Sequence, residues 1–375
     1  MTKIKKGFYN TCCLMMIMKS KEFKDALEKE RIDAAIFYNL DSIDVNPNFF
    51  YFTGYSGIGA LVIPSKKEAF LLAPKMEYEK AKLSRIKKVV LWNKKRLFDT
   101  VSENLRKRKI SANTIGIDFS TFTLEANLGL KKSFPKSKIK DAGGICRKLR
   151  MFKTPEEIDF IRKGCKIADG IFSECIKNFS SFKTESDVAA FLEYKAKKLG
   201  YDVSFKPIVA SGKGSSMPHY VPRNIPLRKG FCVIDFGIKY NGYCTDMTRT
   251  IYIGKPSQKE IEIYNIVLDA EISTVNAVRE NIRCAKIYEI AVSKLGKYKK
   301  NFIHGLGHGV GVEIHEMPNL KPLSKDKLEN NFVFTVEPGV YFPERFGIRI
   351  EDTVALVNGK VEVLTKSRKE LVILE

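Results

Sequence analysis

Between Phe231 and Ile251 the chain reads FCVIDFGIKYNGYCTDMTRTI, two runs rich in apolar and β-branched residues on either side of Asn241-Gly242. That dipeptide suits a two-residue type I′ turn, so the stretch is expected to form a β-hairpin. With Tyr240 paired to Tyr243, Asp235 falls opposite Thr248 and Asp246 opposite Gly237. The two aspartates then share one face of the ribbon as diagonal neighbours, with Cβ atoms roughly 7–8 Å apart. Gly237 leaves the place across from Asp246 without a side chain. Taken alone, the pattern fits an ordinary ribbon with solvated aspartates turned outward. It also fits two mid-strand carboxylates held together by a hard divalent cation.

Upstream, from Lys19 to about Arg150, helical and extended patterns alternate, the mark of an α/β domain. Ser20–Arg31 reads as a charged amphipathic helix, and Asp33–Tyr38, Ala60–Pro64, Ala69–Pro74, Val89–Trp92 and Ile115–Asp118 as strands. The aromatic run Phe49–Tyr55 also looks strand-like, and helices are expected near Leu97–Lys107 and Leu124–Lys132. This half has no histidine, no glycine-rich phosphate loop and no nucleophile elbow, so assembly or walling a site is its expected work. A boundary is predicted at Met151–Thr154, because Thr154-Pro155-Glu156-Glu157 combines an N-cap, a first-turn proline and a capping glutamate. The helix it opens should run to about Asn178. Further helices are expected from Thr184 to Gly200, from the Ser257–Glu260 capping box to about Glu280, and over Ala285–Leu295. Strands lie between and after them, at Phe332–Glu337 and Ile348–Val357 among others, so the second half is α+β.

A chain of 375 residues suits two domains. The formal charge of +22 would attract polyanions, but its lysines are scattered and show no nucleic-acid-binding motif. A solvated basic surface is the expectation, not a dedicated nucleic-acid site. The eight cysteines include no CxxC pair, which points to reduced thiols and a cytoplasmic location. No apolar run is long enough to span a membrane. The opening MTKIKKGFYNTCCLMMIM lacks a cleavage-site pattern and reads as a disordered leader over residues 1–17, or as an upstream start with Met18 the working one.

Candidate chemistry gathers in the second half. All four histidines, His219, His304, His308 and His315, lie there, three of them within twelve residues. The run Gly305–Gly311 alternates glycine with larger residues. As a strand it would present bare backbone on one face and His304, Leu306, His308 and Val310 on the other. Its spacing excludes the dinucleotide fingerprint, and His308 and His315 are too far apart for a zincin helix pair. Glu337 ends a strand before Pro338-Gly339. Arg349 and Glu351 share a strand face in the apolar company of GIRIEDTVALV. Two aspartates, two glutamates and a histidine form an oxygen-rich set suited to Mn²⁺, Co²⁺, Fe²⁺ or Zn²⁺. Four carboxylates would balance two such ions, which could activate a shared water and polarise a carbonyl.

The segments VIDFG with CTDMTRT, HGLGHGVGVEIHE, VEPGVY and GIRIEDTV stand here in the order of a known group. The chain resembles the pita-bread metallopeptidases of the Xaa-Pro aminopeptidase and Xaa-Pro dipeptidase (prolidase) group from about Thr154 onward. NFFYFTGYSG in the first half is similar, less specifically, to their creatinase-type N-terminal domain. The resemblance implies a creatinase-like α/β domain over 18–150 and an α+β pita-bread catalytic domain over 151–375. It implies two metal ions, most simply Mn²⁺, on Asp235, Asp246, His308, Glu337 and Glu351, with Asp246 and Glu351 bridging. It further implies substrate polarisation and proton relay by His219 and His315, and a proton passed by Glu337. His304, Arg349 and Tyr341 would contact or surround the substrate. A metal-bridged hydroxide would attack peptides with proline at the second position, and relatives suggest a homodimer. Dipeptidases of the group often carry an arginine after the HE-x-P stretch, where this chain has Asn319. That difference tilts the expectation toward an aminopeptidase, with the dipeptidase as alternative and Arg223, Arg345 or a first-domain lysine as possible substitutes. A non-catalytic RNA- or ribosome-binding relative would be expected to have lost ligands, and all five are present.

Overall fold

The computed structural model describes residues 18–41, 45–93 and 95–374; the leader expected over residues 1–17 lies outside them. The chain divides into two compact units, Met1–Arg150 and Met151–Glu375.

The first unit is built on a six-stranded mixed sheet of β1 (Ala34–Asn39), β2 (Gly59–Pro64), β3 (Phe70–Pro74), β4 (Val89–Trp92), β5 (Thr114–Ile117) and β6 (Lys138–Asp141), in the order β4-β3-β2-β1-β5-β6. Alternation along β1 places Ala34 and Ile36 in a core with Phe98, Val101 and Leu130 from the helices Leu97–Lys107 and Leu124–Ser133. Phe37, on the opposite face, meets Phe23 and Phe52. The expected strand at Phe49–Tyr55 is instead a helix, Pro47–Thr53. Asn46 caps it by accepting from the Phe49 amide, Pro47 opens it, and Gly54 closes it in the left-handed region at φ 60°. Those local signals outweigh the β-preference of its aromatic residues.

In the second unit, three helices begin at complete capping boxes, Thr154/Glu157, Thr184/Asp187 and Ser257/Glu260. A four-stranded sheet, β19-β11-β9-β8, contains β8 (Ile208–Ser211), β9 (Gly230–Phe236), β11 (Met247–Ile253) and β19 (Ile373–Leu374). It packs on the helices Pro155–Lys177 and Glu185–Lys198 through Ile171, Leu192, Ile234 and Ile251. A five-stranded sheet, β13-β12-β14-β17-β18, contains β12 (Gly307–Gly309), β13 (Glu316–Leu320), β14 (Val333–Val336), β17 (Asp352–Val357) and β18 (Lys360–Val363). It shares a core with the helices Gln258–Ala277 and Cys284–Leu295. Two short ribbons, β7 (Asp202–Val203) with β10 (Ile238–Lys239) and β15 (Gly339–Phe342) with β16 (Phe346–Arg349), complete the unit. This is the α+β organisation expected of the second half.

The hairpin forms in the expected register, with Asp235 across from Thr248 and Tyr240 bridged to Tyr243. Asn241 and Gly242 both have positive φ, 48° and 85°, as a type I′ turn requires. The ribbon is not continuous, however. It breaks at Gly237, and β10 turns aside to pair with β7. A Cβ on Gly237 would lie 1.7 Å from the Thr245 carbonyl oxygen, so this glycine answers a backbone approach and not the Asp246 side chain. The strand expected over Ile348–Val357 is likewise two strands. At the break the Ile350 amide donates to Pro338 and the Glu351 amide to Thr248, while the chain passes from pairing with β15 to pairing with β14. Among the described residues all cysteines are free and buried, and no helix is long and apolar enough to cross a membrane.

Gly237→Ala is expected to lower the unfolding midpoint far more than Asn46→Ala, whose lost cap is worth about 1 kcal/mol. Parallel thermal melts check the order.

Candidate metal centre

Five strands or strand ends bring the five expected donors to one cleft. Asp235 comes from β9, Asp246 from just before β11, His308 from β12, Glu337 from just past β14, and Glu351 from the break before β17. All five line a cavity of about 650 Å³, together with His219, His304, His315 and Arg349. Tyr341 reaches the same group through hydrogen bonds. Close backbone approach makes the convergence possible: a Cβ on Gly307 would stand 2.0 Å from the Thr335 carbonyl oxygen.

The electrostatics of the cleft are those of crowded like charges. Burial, followed by the neighbouring carboxylates, pushes the Asp246 and Glu351 carboxyls well above their ordinary range. Burial and the Asp235 charge push Glu337 up to about 7, against the pull of Arg349. Among the described residues Arg349 is the one guanidinium lining the cleft, and it donates to Asp235. The Thr248 hydroxyl donates to Glu351 Oε2 at 2.7 Å and accepts from Arg349 Nε at 3.0 Å. Hydroxyl and guanidinium together hold the carboxylates in place, and the single positive charge of Arg349 offsets only part of theirs.

The donor set fits divalent cations. One donor atom each from Asp246, His308 and Glu351 lie within 4.8 Å of one another. The buried Oδ1 atoms of Asp235 and Asp246 have no hydrogen-bond partner. Burial holds His308 down at about 4, so its ring is neutral at pH 7. Its Nδ1 lies 3.1 Å from the Gly309 carbonyl, which can only accept, so Nδ1 carries the proton. The Nε2 lone pair therefore faces Asp246 Oδ2 and Glu337 Oε1, each at 3.6 Å. A lone pair aimed at two carboxylates repels them unless a cation stands between, and oxygen-rich sets with one imidazole suit hard or borderline ions.

A proton chain lies alongside. Arg349 Nη1 donates to the Tyr341 hydroxyl at 2.8 Å, so that hydroxyl gives its own proton to His304 Nε2 at 3.0 Å. His304 must then carry its proton on Nδ1, which donates to the Gly305 carbonyl at 2.7 Å. Burial holds this ring down at about 4 as well. His315 packs edge-on against His308, with ring centroids 4.3 Å apart. Its neighbour Glu316 is pinned by Lys153 Nζ at 2.9 Å.

Several contributing residues were not singled out from the sequence. Thr248 stands across the ribbon from Asp235, so the hairpin register could have revealed it. Thr335 accepts from the His308 amide at 3.1 Å. Arg249, fully buried behind the cleft, donates to the carbonyls of Thr248 and Glu351, to Asp352, and to the carbonyls of Ser367 and Arg368. Asp352 also accepts from Lys369 Nζ at 2.7 Å, so a strap of later chain is clamped behind the donors. Lys206 and Lys321 line the cleft; Arg223 and Arg345, two of the residues considered for holding a substrate carboxylate, do not. Arg223 lies over the Tyr220 ring, and Arg345 over Phe342 and Phe346.

Residues 159–358 match the model of metallopeptidase family M24, and residues 19–152 match that of the creatinase/prolidase N-terminal domain. An Xaa-Pro dipeptidase of Pyrococcus furiosus is 37% identical over 92% of this chain and 99% of its own. The solved Xaa-Pro dipeptidase from Bacillus anthracis superposes with a TM-score of 0.88 at 32% identity, over 96% of this chain and all of that one. The X-Pro aminopeptidase from Thermotoga maritima MSB8 reaches 0.84 at 30% identity, over 92% of this chain and 98% of that one.

Raised carboxyls bind protons that an unfolded chain would release. The metal-free protein should therefore lose stability as pH rises from the ordinary glutamate value of 4.5 toward 7. Adding Mn²⁺ near pH 6 should displace those protons, and its apparent affinity should weaken as pH falls. Calorimetric titrations in buffers of different ionisation enthalpy measure the proton release directly.

Proposed function

The chain belongs to metallopeptidase family M24, and from that premise we propose that it is a dinuclear metal-dependent Xaa-Pro dipeptidase. The convergence of Asp235, Asp246, His308, Glu337 and Glu351 on one cleft carries the reading. The dipeptidase is preferred to the aminopeptidase because full-length relatives bear that name, and because Lys206 and Lys321 give the cleft cationic groups that the neutral Asn319 does not. Mn²⁺ as the metal, a homodimer and a cytoplasmic location belong to the same proposal. Buried, unpaired thiols are consistent with the last.

Those five residues would hold the metal, with Asp246, His308 and Glu351 offering the donor atoms that lie closest together. Bound divalent ions supply Lewis acidity that polarises a peptide carbonyl. His219 and His315, on the cleft wall, orient the substrate across the donors. Glu337, at the edge of the donor set, passes a proton to the leaving proline nitrogen. Tyr341 and Arg349 keep His304 neutral with Nδ1 protonated, leaving no mobile charge beside Glu337.

Mn²⁺-loaded protein should cleave Ala-Pro and spare Ala-Pro-Pro, and chelation should abolish turnover. Equal cleavage of the tripeptide would restore the aminopeptidase reading. Glu337→Gln and His308→Ala should each lower kcat by about 100-fold or more, measured by proline release.

A further inference from the structure

The cleft is acidic in its depth and basic at its mouth. Lys206 and Lys321 both line it, both are exposed, and among the described residues neither has an ion-pair partner. They flank strands of different sheets yet hold matching places. Lys206 is two residues from Ile208, which pairs with Asp235 across β8 and β9. Lys321 is two residues from Asn319, which pairs with His308 across β13 and β12. Two residues of extended chain span about 7 Å. An extended dipeptide spans about the same length, so one with its amino end at the donors would carry its free carboxylate to the level of the lysines.

The geometry points to Lys321 and Lys206 as the anchor for the substrate's carboxy-terminal carboxylate, and so as the residues that restrict this enzyme to dipeptides. The inference rests on the dipeptidase reading. Asn319 is neutral and cannot ion-pair with a carboxylate. Lys321, two residues on and just past the end of that strand, can. Its stem has room beside Gly305, where an added Cβ would lie 3.8 Å from the Lys321 Cβ. Both lysines line the cleft without an acidic partner among the described residues, and a peptide carboxylate is an anion that either can hold by a charge-assisted hydrogen bond. Phe205 and Ile314, also on the cleft wall, supply apolar surface for a prolyl ring between the two ends.

The test compares Ala-Pro with its carboxy-terminal amide, using Mn²⁺-loaded wild type, Lys206→Gln, Lys321→Gln, Lys321→Arg and the double glutamine variant. Wild type should prefer the free acid by about ten-fold or more in kcat/KM, the scale of one charge-assisted contact. Each single glutamine variant should narrow that preference through a higher KM for the acid. The double variant should erase it, and Lys321→Arg should keep it. Unchanged metal content by elemental analysis would show that the donors are intact. A preference that survives in the double variant overturns the lysine anchor and leaves the dipeptidase reading standing. A wild type that cleaves acid, amide and Ala-Pro-Pro equally, or cleaves none of them, overturns both.

Discussion

Mutual repulsion among Asp235, Asp246, Glu337 and Glu351 is the constraint to which the catalytic unit is fitted. Four carboxyls share a mostly buried space with one guanidinium. Desolvation makes each charge costly, and each neighbour raises that cost. Packing has to hold the group together against its own field. It does so by placing every donor on or beside a strand, and by backing the strands with two helical layers. Thr248 and Arg349 tie Glu351 and Asp235 into one network, and Thr335 fixes the backbone of His308. A site on loose loops would relax apart; this one stays poised for positive charge.

The same constraint explains the proton arrangement. A histidine that could charge readily would neutralise part of the acid cluster and compete with a metal. Burial prevents this at His308 and His304, and the Gly309 and Gly305 carbonyls orient their protons. The imidazoles therefore enter the cleft as neutral ligands or hydrogen-bonding groups, leaving counter-charge to Arg349 and to cations from solution.

Much of this was legible in the sequence where the physics is local. Asn241-Gly242 specifies its turn, and Thr154, Thr184 and Ser257 specify helix starts, because each effect is decided within four residues. The hairpin register placed Asp235 opposite Thr248 for the same reason. Aromatic content points to a strand at Phe49–Tyr55, but the caps at Asn46 and Gly54 decide for the helix Pro47–Thr53. The break at Ile350–Glu351 could not be seen, because it depends on Pro338 and Thr248 accepting those amides. Arg249, Lys206 and Lys321 were invisible as site residues for a related reason: nothing next to them in the chain marks them, and their significance comes from strands paired at long range. Residue chemistry alone offers the five donors as a candidate set, and the family pattern adds which of them belong to one site.

The clamp formed by Arg249 ties the placing of the donors to chain that follows them. Its guanidinium grips the Glu351 carbonyl on one side and the Ser367 carbonyl, 118 residues downstream, on the other. The backbone at Thr248 and at Glu351 is thereby tied to a segment that follows the last donor in the chain, so the shape of the cleft depends on residues that never touch it.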